Sequence, residues 1–276
     1  MIAALLLLLA AQSGFVPATA EERYVAQLRE AVAKGDVEAT VTLATMYEAG
    51  SVVAQDSVRA AALYRDAAAK GHVSAQLNLA MMYAEGQGLR RDVRQAVMWY
   101  ERAAAGGSAL AAFSLGAIYD DGAPRVARDA AKAASWYRRA AQQCFASAQY
   151  RLGRLYVDGR GVPRDVGQAI EWLRRAADQG DADAQIELGL LLTPGRSAEA
   201  DIVEAHMWLN LAASRWKDEA KRIRSAALRD DLENAMTPDQ RSAARRRATE
   251  WQDAHSWQPG NDGSDVCNIP VARPSR

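Results

Sequence analysis

Phenylalanine occurs three times and cysteine twice in 276 residues, and lysine plus arginine (34) exactly offset aspartate plus glutamate (34). Each shortage excludes something. Two cysteines leave room for at most one disulfide. A chain with no basic excess lacks the electrostatic footprint of a nucleic-acid binder, so no nucleic-acid partner is expected. Beyond the first eleven residues no apolar run reaches 18, so no later segment is long enough to span a membrane. The Gly-x-Ser-x-Gly elbow, the phosphate loop and the His-Glu-x-x-His motif are all missing. The three histidines, His72, His206 and His255, stand in unrelated registers without a ligand-spaced partner. No metal, no cofactor and no enzymatic activity are therefore expected. What the chain has instead is alanine, 59 residues of it, within an apolar fraction of 49%. That composition favours close-packed helices over a sandwich or barrel of β-branched strands. At about 150 residues per domain the length fits one or two domains, or one elongated array.

The first twenty residues form a unit of their own. Ile2–Ala11 is apolar and holds five successive leucines, Leu5–Leu9. As a helix ten residues would reach about 15 Å, roughly half of a bilayer core. Ala18-Thr19-Ala20 then gives the small-x-small pattern of a cleavage site, before Glu21-Glu22. This reads as a secretory signal peptide cut after Ala20, which places the protein in the periplasm or outside the cell. No Lys or Arg precedes the apolar run, a departure from the usual pattern. An uncleaved membrane anchor is the alternative.

Shifted by 36 residues, the chain aligns with itself over five units: 35–70, 71–106, 107–143, 144–179 and 180–215. The third carries one extra residue, near Pro124. The fifth position is Ala39, Ala75, Ala111, Ala148 or Ala184. The ninth is Leu43, Leu79, Leu115, Leu152 or Leu188, and the tenth is always Ala or Gly. The thirteenth is Tyr47, Tyr83, Tyr119 or Tyr156, with Leu192 in the last unit. Fifth, ninth and thirteenth residues share one helix face, and the small tenth residue lets a neighbour approach. A glycine three residues later stops the helix. Asp56, Asp92, Asp129, Asp165 and Asp201 then stand as N-caps of a second helix, with Gln95, Gln168 and Glu204 placed to complete capping boxes. The second helix repeats an apolar stripe such as Ala96, Trp99, Tyr100, Ala103. Its tryptophans, Trp99, Trp136, Trp172 and Trp208, are read as core. Each unit is a helix–turn–helix that cannot bury its apolar face alone, so the units must stack.

These residues resemble the Sel-1-like repeat (SLR) family, a relative of the tetratricopeptide repeat. Ala75…Leu79-Ala80…Tyr83…Gly86…Asp92…Ala96…Trp99-Tyr100…Ala103-Ala104…Gly107 follows its pattern nearly throughout. The resemblance implies an all-α, right-handed α–α superhelix, a solenoid of five repeats. It also implies a non-catalytic adaptor or scaffold that binds a protein or peptide partner. Residues 21–34, with Leu28-Arg29-Glu30-Ala31, resemble the second helix of an incomplete preceding unit and form an N-terminal cap. Residues 216–255 resemble the C-terminal helical cap of such arrays, the last helix opening at Thr237-Pro238-Asp239-Gln240. Residues 256–276 read as a flexible tail. The cysteine-rich branch of the family pairs cysteines within each repeat, a pattern absent here. Cys144 replaces an inter-unit glycine and Cys267 lies in the tail. A bond between them would close a loop of over 100 residues, nominally worth ~5 kcal/mol, and two free thiols are the alternative.

In tetratricopeptide arrays the first helices line the concave face. On that analogy Leu77, Met81, Phe113 and Tyr150 make an apolar strip with Arg151 and Arg154 beside it, able to cradle an extended peptide and hold a carboxylate. The competing reading buries the seventh position against the adjacent first helix. An envelope hydrolase and a membrane-anchored assembly factor that keeps its N-terminal helix are the functional alternatives.

Overall fold

The computed structural model describes residues 19–198, 200–215 and 218–255. The leader's apolar run, Cys267 and the C-terminal tail lie outside the described residues. Within them the chain forms thirteen α-helices and no strand, the sole β feature being an isolated bridge between Ala123 and Val126. No described helix is long and apolar enough to cross a membrane. The chain divides into two compact units, Met1–Gly107 and Ser108–Arg276. The first contains α1 (Ala20–Ala33), α2 (Val37–Ala49), α3 (Ser57–Ala69), α4 (Val73–Glu85) and α5 (Val93–Ala105). The second contains α6 (Ala109–Asp121), α7 (Ala130–Ala141), α8 (Ala146–Asp158), α9 (Val166–Asp178), α10 (Ala182–Leu191), α11 (Ile202–Arg215), α12 (Glu219–Ala235) and α13 (Pro238–Ala254).

The aspartates do begin the second helices. Asp56, Asp129 and Asp165 each accept the backbone N–H three residues on, at 3.0 Å, and Asp92 and Asp201 accept two N–H groups apiece. The reciprocal half of the expected capping boxes does not form at Gln95, Gln168 or Glu204. The N–H of Asp92, Asp165 and Asp201 is already donated to the carbonyl of Tyr83, Tyr156 and Leu192, at 2.9, 3.1 and 3.0 Å. That bond ties the end of a first helix to the start of its partner in all five repeats, so nothing is left for the N3 side chain to satisfy. Among the described residues, complete boxes occur at the two outer helices, Thr19 with Glu22 and Thr237 with Gln240.

Packing follows the ninth and tenth positions. Leu79, Leu115, Leu152 and Leu188 are wholly buried and Leu43 nearly so. A Cβ added to Gly116, Gly153 or Gly189 would fall 2.5, 2.7 or 2.8 Å from Tyr137, Leu173 or Leu209 on the second helix of the same repeat. The tenth residue is small because a side chain already occupies that space. The thirteenth position is less buried than its spacing indicates. Tyr47 is buried, but Tyr83, Tyr119 and Tyr156 are half-buried. The hydroxyls of Tyr47, Tyr83 and Tyr156 accept bonds from Arg29, Arg65 and Arg138, eighteen residues back, at 3.2, 3.4 and 3.1 Å. These struts link α1 to α2, α3 to α4 and α7 to α8. The sixth position adds a link that hydrophobic periodicity does not show. Buried Gln76, Gln149 and Gln185 donate to the carbonyls of Ala68, Ala141 and Ala177, each at 3.1 Å. They satisfy backbone acceptors at the C-terminal ends of the preceding second helices.

The tryptophans divide. Trp99 and Trp208 are core, but Trp136 and Trp172 are only half-buried. The guanidinium groups of Arg139 and Arg175, three residues on, lie 5.7 and 4.7 Å from their ring centroids. Arg102 lies 4.5 Å from the centroid of buried Trp99 in the same way, so the cation–ring contact is common to buried and half-buried rings alike. At the C-terminal end α13 brings Trp251 against Trp208, with centroids 6.0 Å apart, and Leu232 and Ala248 join the same core. The array's last apolar face is closed in this way.

The loops after α4 and α8 hold a second glycine for a steric reason. A Cβ on Gly88 or Gly161 would come within 2.1 Å of the carbonyl oxygen of Ser57 or Ala130, the first residue of the preceding second helix. Gly180 also has a positive φ, +83°, but nothing lies within 4 Å of its Cβ direction. Gly180→Ala should therefore cost only the left-handed backbone term, about 1–2 kcal/mol. Gly161→Ala must displace backbone as well and should cost clearly more. Urea unfolding of the two variants checks this, and equal losses would mean the loop is not seated on α7.

Candidate functional site

Leu77 and Met81 lie on α4 in the first unit, half-buried and exposed respectively. In the second unit Phe113 on α6 is half-buried. Its ring stands 5.7 Å from Tyr137 and 5.0 Å from Phe145, centroid to centroid. It therefore spends much of its surface joining α6 to α7 and to the residue that opens α8.

Tyr150, Arg151 and Arg154 come together. All three project from one stretch of α8 and line a pocket of about 230 Å³. Asp120 and Asp121 at the end of α6, Asp158 at the end of α8 and Arg160 in the following loop complete its wall. Arg160 Nη2 donates to Asp120 Oδ1 at 2.7 Å, and the Asp120 side chain is only 6% exposed. This pair spans forty residues of sequence and depends on the loop that Gly161 seats. Behind it, burial and then the Asp120 charge push the Tyr137 hydroxyl well above the usual tyrosine range. Arg154 Nη1 donates to Tyr150 Oη at 3.3 Å, and its Nη2 lies 3.8 Å from Asp158. The Tyr150 bond, with the Glu187 charge, holds the Arg154 guanidinium in its charged form. Its Nε is buried and makes no hydrogen bond, Glu187 Oε1 standing 4.0 Å away. Arg151 is exposed and has no ion pair among the described residues.

Sequence spacing placed Tyr150, Arg151 and Arg154 together, because they sit within one helical turn of each other. The adjacent carboxylates Asp120 and Asp121 read from sequence as the solvated end of a first helix, whereas Asp120 is buried against Arg160, and nothing in the spacing joins these three to the α8 residues. The site presents cations, carboxylates and one phenol, and holds no nucleophile beside a base. Among the described residues no group of three or more His, Cys, Asp or Glu is placed to hold a metal. Cys144 has φ +63°, where Gly35, Gly71, Gly107 and Gly180 occupy the same register with φ of +83 to +96°.

The histidines have structural settings. His72 is the N-cap of α4: its Nδ1 accepts the Ala75 N–H, and its Nε2 lies 3.2 Å from Glu38. His255 stacks on Trp251, centroids 4.1 Å apart. His206 on α11 is 2% exposed, and neither ring nitrogen makes a hydrogen bond. Glu233 of α12 stands 3.9 Å away but is held at 2.6 Å by Arg245 of α13, and Arg229 adds a further positive charge. Burial therefore pushes the imidazole below its ordinary value against the pull of Glu233.

A profile of the Sel1 repeat matches residues 37–72, 73–108, 109–143, 146–181 and 182–215. Each match begins two residues after a unit boundary read from the glycine register. Among solved structures, a Sel1 repeat protein from Oxalobacter formigenes is 28% identical, with a TM-score of 0.66, covering 72% of this chain and 82% of its own. A protective antigen of uropathogenic Escherichia coli with an SLR fold is 25% identical, with a TM-score of 0.41 over 83% of this chain and 63% of its own. An immunity protein from Pseudomonas aeruginosa is 20% identical, with a TM-score of 0.40, covering 78% and 76%. No curated protein matches the chain.

His206 makes stability depend on pH. Its folded value lies below the unfolded value of about 6.5, so the unfolded chain binds a proton first. The stability that depends on a neutral ring is complete above that value and is lost as pH falls below it. Urea midpoints at pH 7.5 and 5.5 should separate for the parent and converge for His206→Leu. An unchanged separation in the variant would assign the pH dependence to other groups.

Proposed function

The chain belongs to the Sel1 repeat family, and on that premise we propose that it is an exported, non-catalytic module that holds a peptide or protein partner on the face of its first helices. Proteins of this family generally mediate protein–protein interactions. The observation that carries the finer reading is Arg151, an exposed guanidinium without an ion pair among the described residues, beside the Arg154 guanidinium in one pocket. Unpaired donors in a concave site favour a ligand that brings acceptors. The concave face of a solenoid is the natural place for an extended partner.

Export rests on the leader. Cleavage after Ala20 would remove Thr19, the N-cap of α1, whose side chain accepts the Glu22 N–H at 3.1 Å. Loss of such a cap costs about 1 kcal/mol. Glu21 and Glu22 remain in the first turn, where acidic side chains suit the helix dipole. The Cys144–Cys267 bond belongs to the same reading. A non-glycine residue at positive φ costs stability and persists where something else needs it. Mass spectrometry of the alkylated protein, with and without reductant, tests the bond.

Arg151→Glu is the variant of choice for the binding face. Arg154→Glu would set a new carboxylate beside Asp158 and Glu187, so its effect on binding would be mixed with a loss of stability. Reversal of an exposed charge changes stability by about 0.5 kcal/mol or less, whereas losing a charge-assisted bond costs about 1.5–3 kcal/mol. Partners crosslinked in the envelope fraction should be recovered at least about tenfold less well with Arg151→Glu, at an unchanged melting temperature. Equal recovery would remove this face from the reading.

A further inference from the structure

We propose that the α6–α8 pocket is a subsite for an amphoteric peptide segment, taking an acidic side chain at Arg151 and the Arg154 guanidinium and a neighbouring basic side chain at Asp121 and Asp158. The proposal rests on the interaction-module reading and narrows it to one chemical class. Six charged groups line the pocket, three of each sign. Two cancel internally, since Arg160 and Asp120 share a 2.7 Å bond and the aspartate is buried. Of the remaining four, Arg154 and Asp158 are only loosely paired, with Glu187 also 4.0 Å from Arg154. Arg151 has no ion pair among the described residues, and neither does the Asp121 carboxylate; the bond that Asp121 does accept, from Arg128 Nε, falls on its backbone carbonyl. Arg154 and Asp158 are 3.8 Å apart, near enough to attract but beyond hydrogen-bond length. Arg154 Nε is buried beside Glu187 Oε1 at 4.0 Å, while the side chain as a whole is partly exposed to the pocket.

The arrangement selects by charge pair. A simple anion drawn to the arginines meets Asp121 and Asp158 in the same wall. A simple cation meets Arg151 and Arg154. A ligand with both signs on adjacent groups satisfies all four, so each sign excludes the ligands the other would admit. Size narrows the class further. About 230 Å³ is less than the roughly 300–1,000 Å³ of a site that encloses a drug-sized molecule. It fits one or two side chains of a longer chain lying across the helices.

The test uses the arginine Nε–Hε resonances of the purified full chain, which report on the surroundings of the Arg154 guanidinium. Four blocked hexapeptides serve as probes, with Glu-Lys, Glu-Gln, Gln-Lys or Gln-Gln at the centre of a glycine frame. The Glu-Lys peptide should shift the Arg154 Nε–Hε signal and bind about fivefold more tightly than either singly charged peptide, the size of one partly exposed charge pair. Arg151→Gln should bring it down to the Gln-Lys level, and Asp121→Asn to the Glu-Gln level. Both substitutions are at exposed positions, and thermal unfolding confirms that each variant is folded. Equal binding of Glu-Lys and Glu-Gln would overturn the amphoteric subsite in favour of a plain carboxylate site. No shift with any peptide would overturn the pocket as a subsite. A partner released by Arg151→Glu, with peptides that do not rank by charge pair, would keep the interaction reading and overturn this inference alone.

Discussion

The structure depends on the close approach of two helices within each repeat. A wholly or nearly wholly buried leucine at the ninth position fixes one helix, and a residue without a side chain, or with only a methyl, lets the second helix press against it. At Gly116, Gly153 and Gly189 the facing side chain leaves less than 3 Å for a Cβ. From that contact follow the tight turn, the tie from each capping aspartate to the thirteenth carbonyl, and the alanine-rich second-helix stripe. A helix pair this thin buries little on its own, and within each compact unit arginine–tyrosine struts and buried glutamines tie a second helix to the first helix that follows it. Closing the last exposed face then falls to Trp208 and Trp251.

Much of this was legible in the sequence because the period repeats every physical requirement five times. Leucine, small residue, stop glycine and capping aspartate recur at fixed offsets, and their meaning is local. What a stripe does not tell is how deep its neighbour covers it. Trp136 and Trp172 share the spacing of Trp99 and, like it, carry an arginine over the ring, yet only Trp99 of the three is buried. The thirteenth tyrosines likewise turn a hydroxyl toward arginine. Gln95 and Gln168 have capping-box spacing, but a longer-range carbonyl had already taken the donor they would have satisfied. The second loop glycine reads as mere turn chemistry, when its cause is the backbone of a different repeat.

The candidate site shows the same division. Tyr150, Arg151 and Arg154 were readable as neighbours because one helical turn brings them together. Phe113 was readable as a first-helix aromatic, but its contacts with Tyr137 and Phe145 are tertiary. Asp120 and Arg160 are forty residues apart, and no local rule joins them. Their pairing matters, since it removes one charge of each sign and leaves the α8 arginines and two aspartates available. The scaffold supplies the rigid helix, the seated loop supplies Arg160, and the chemistry left over is recognition by paired charges.

The claim that stacked 36-residue units hold this chain is tested most directly by deletion in register. Removing residues 71–106 as a block keeps every ninth leucine facing its partner helix, so the shortened protein should remain helical and unfold cooperatively, at somewhat lower stability. Removing 18 residues from the same stretch leaves a first helix where a second is required and should abolish cooperative unfolding. If circular dichroism during thermal unfolding shows the two deletions behaving alike, whether both folded or both unfolded, the repeat is not the unit on which the structure depends.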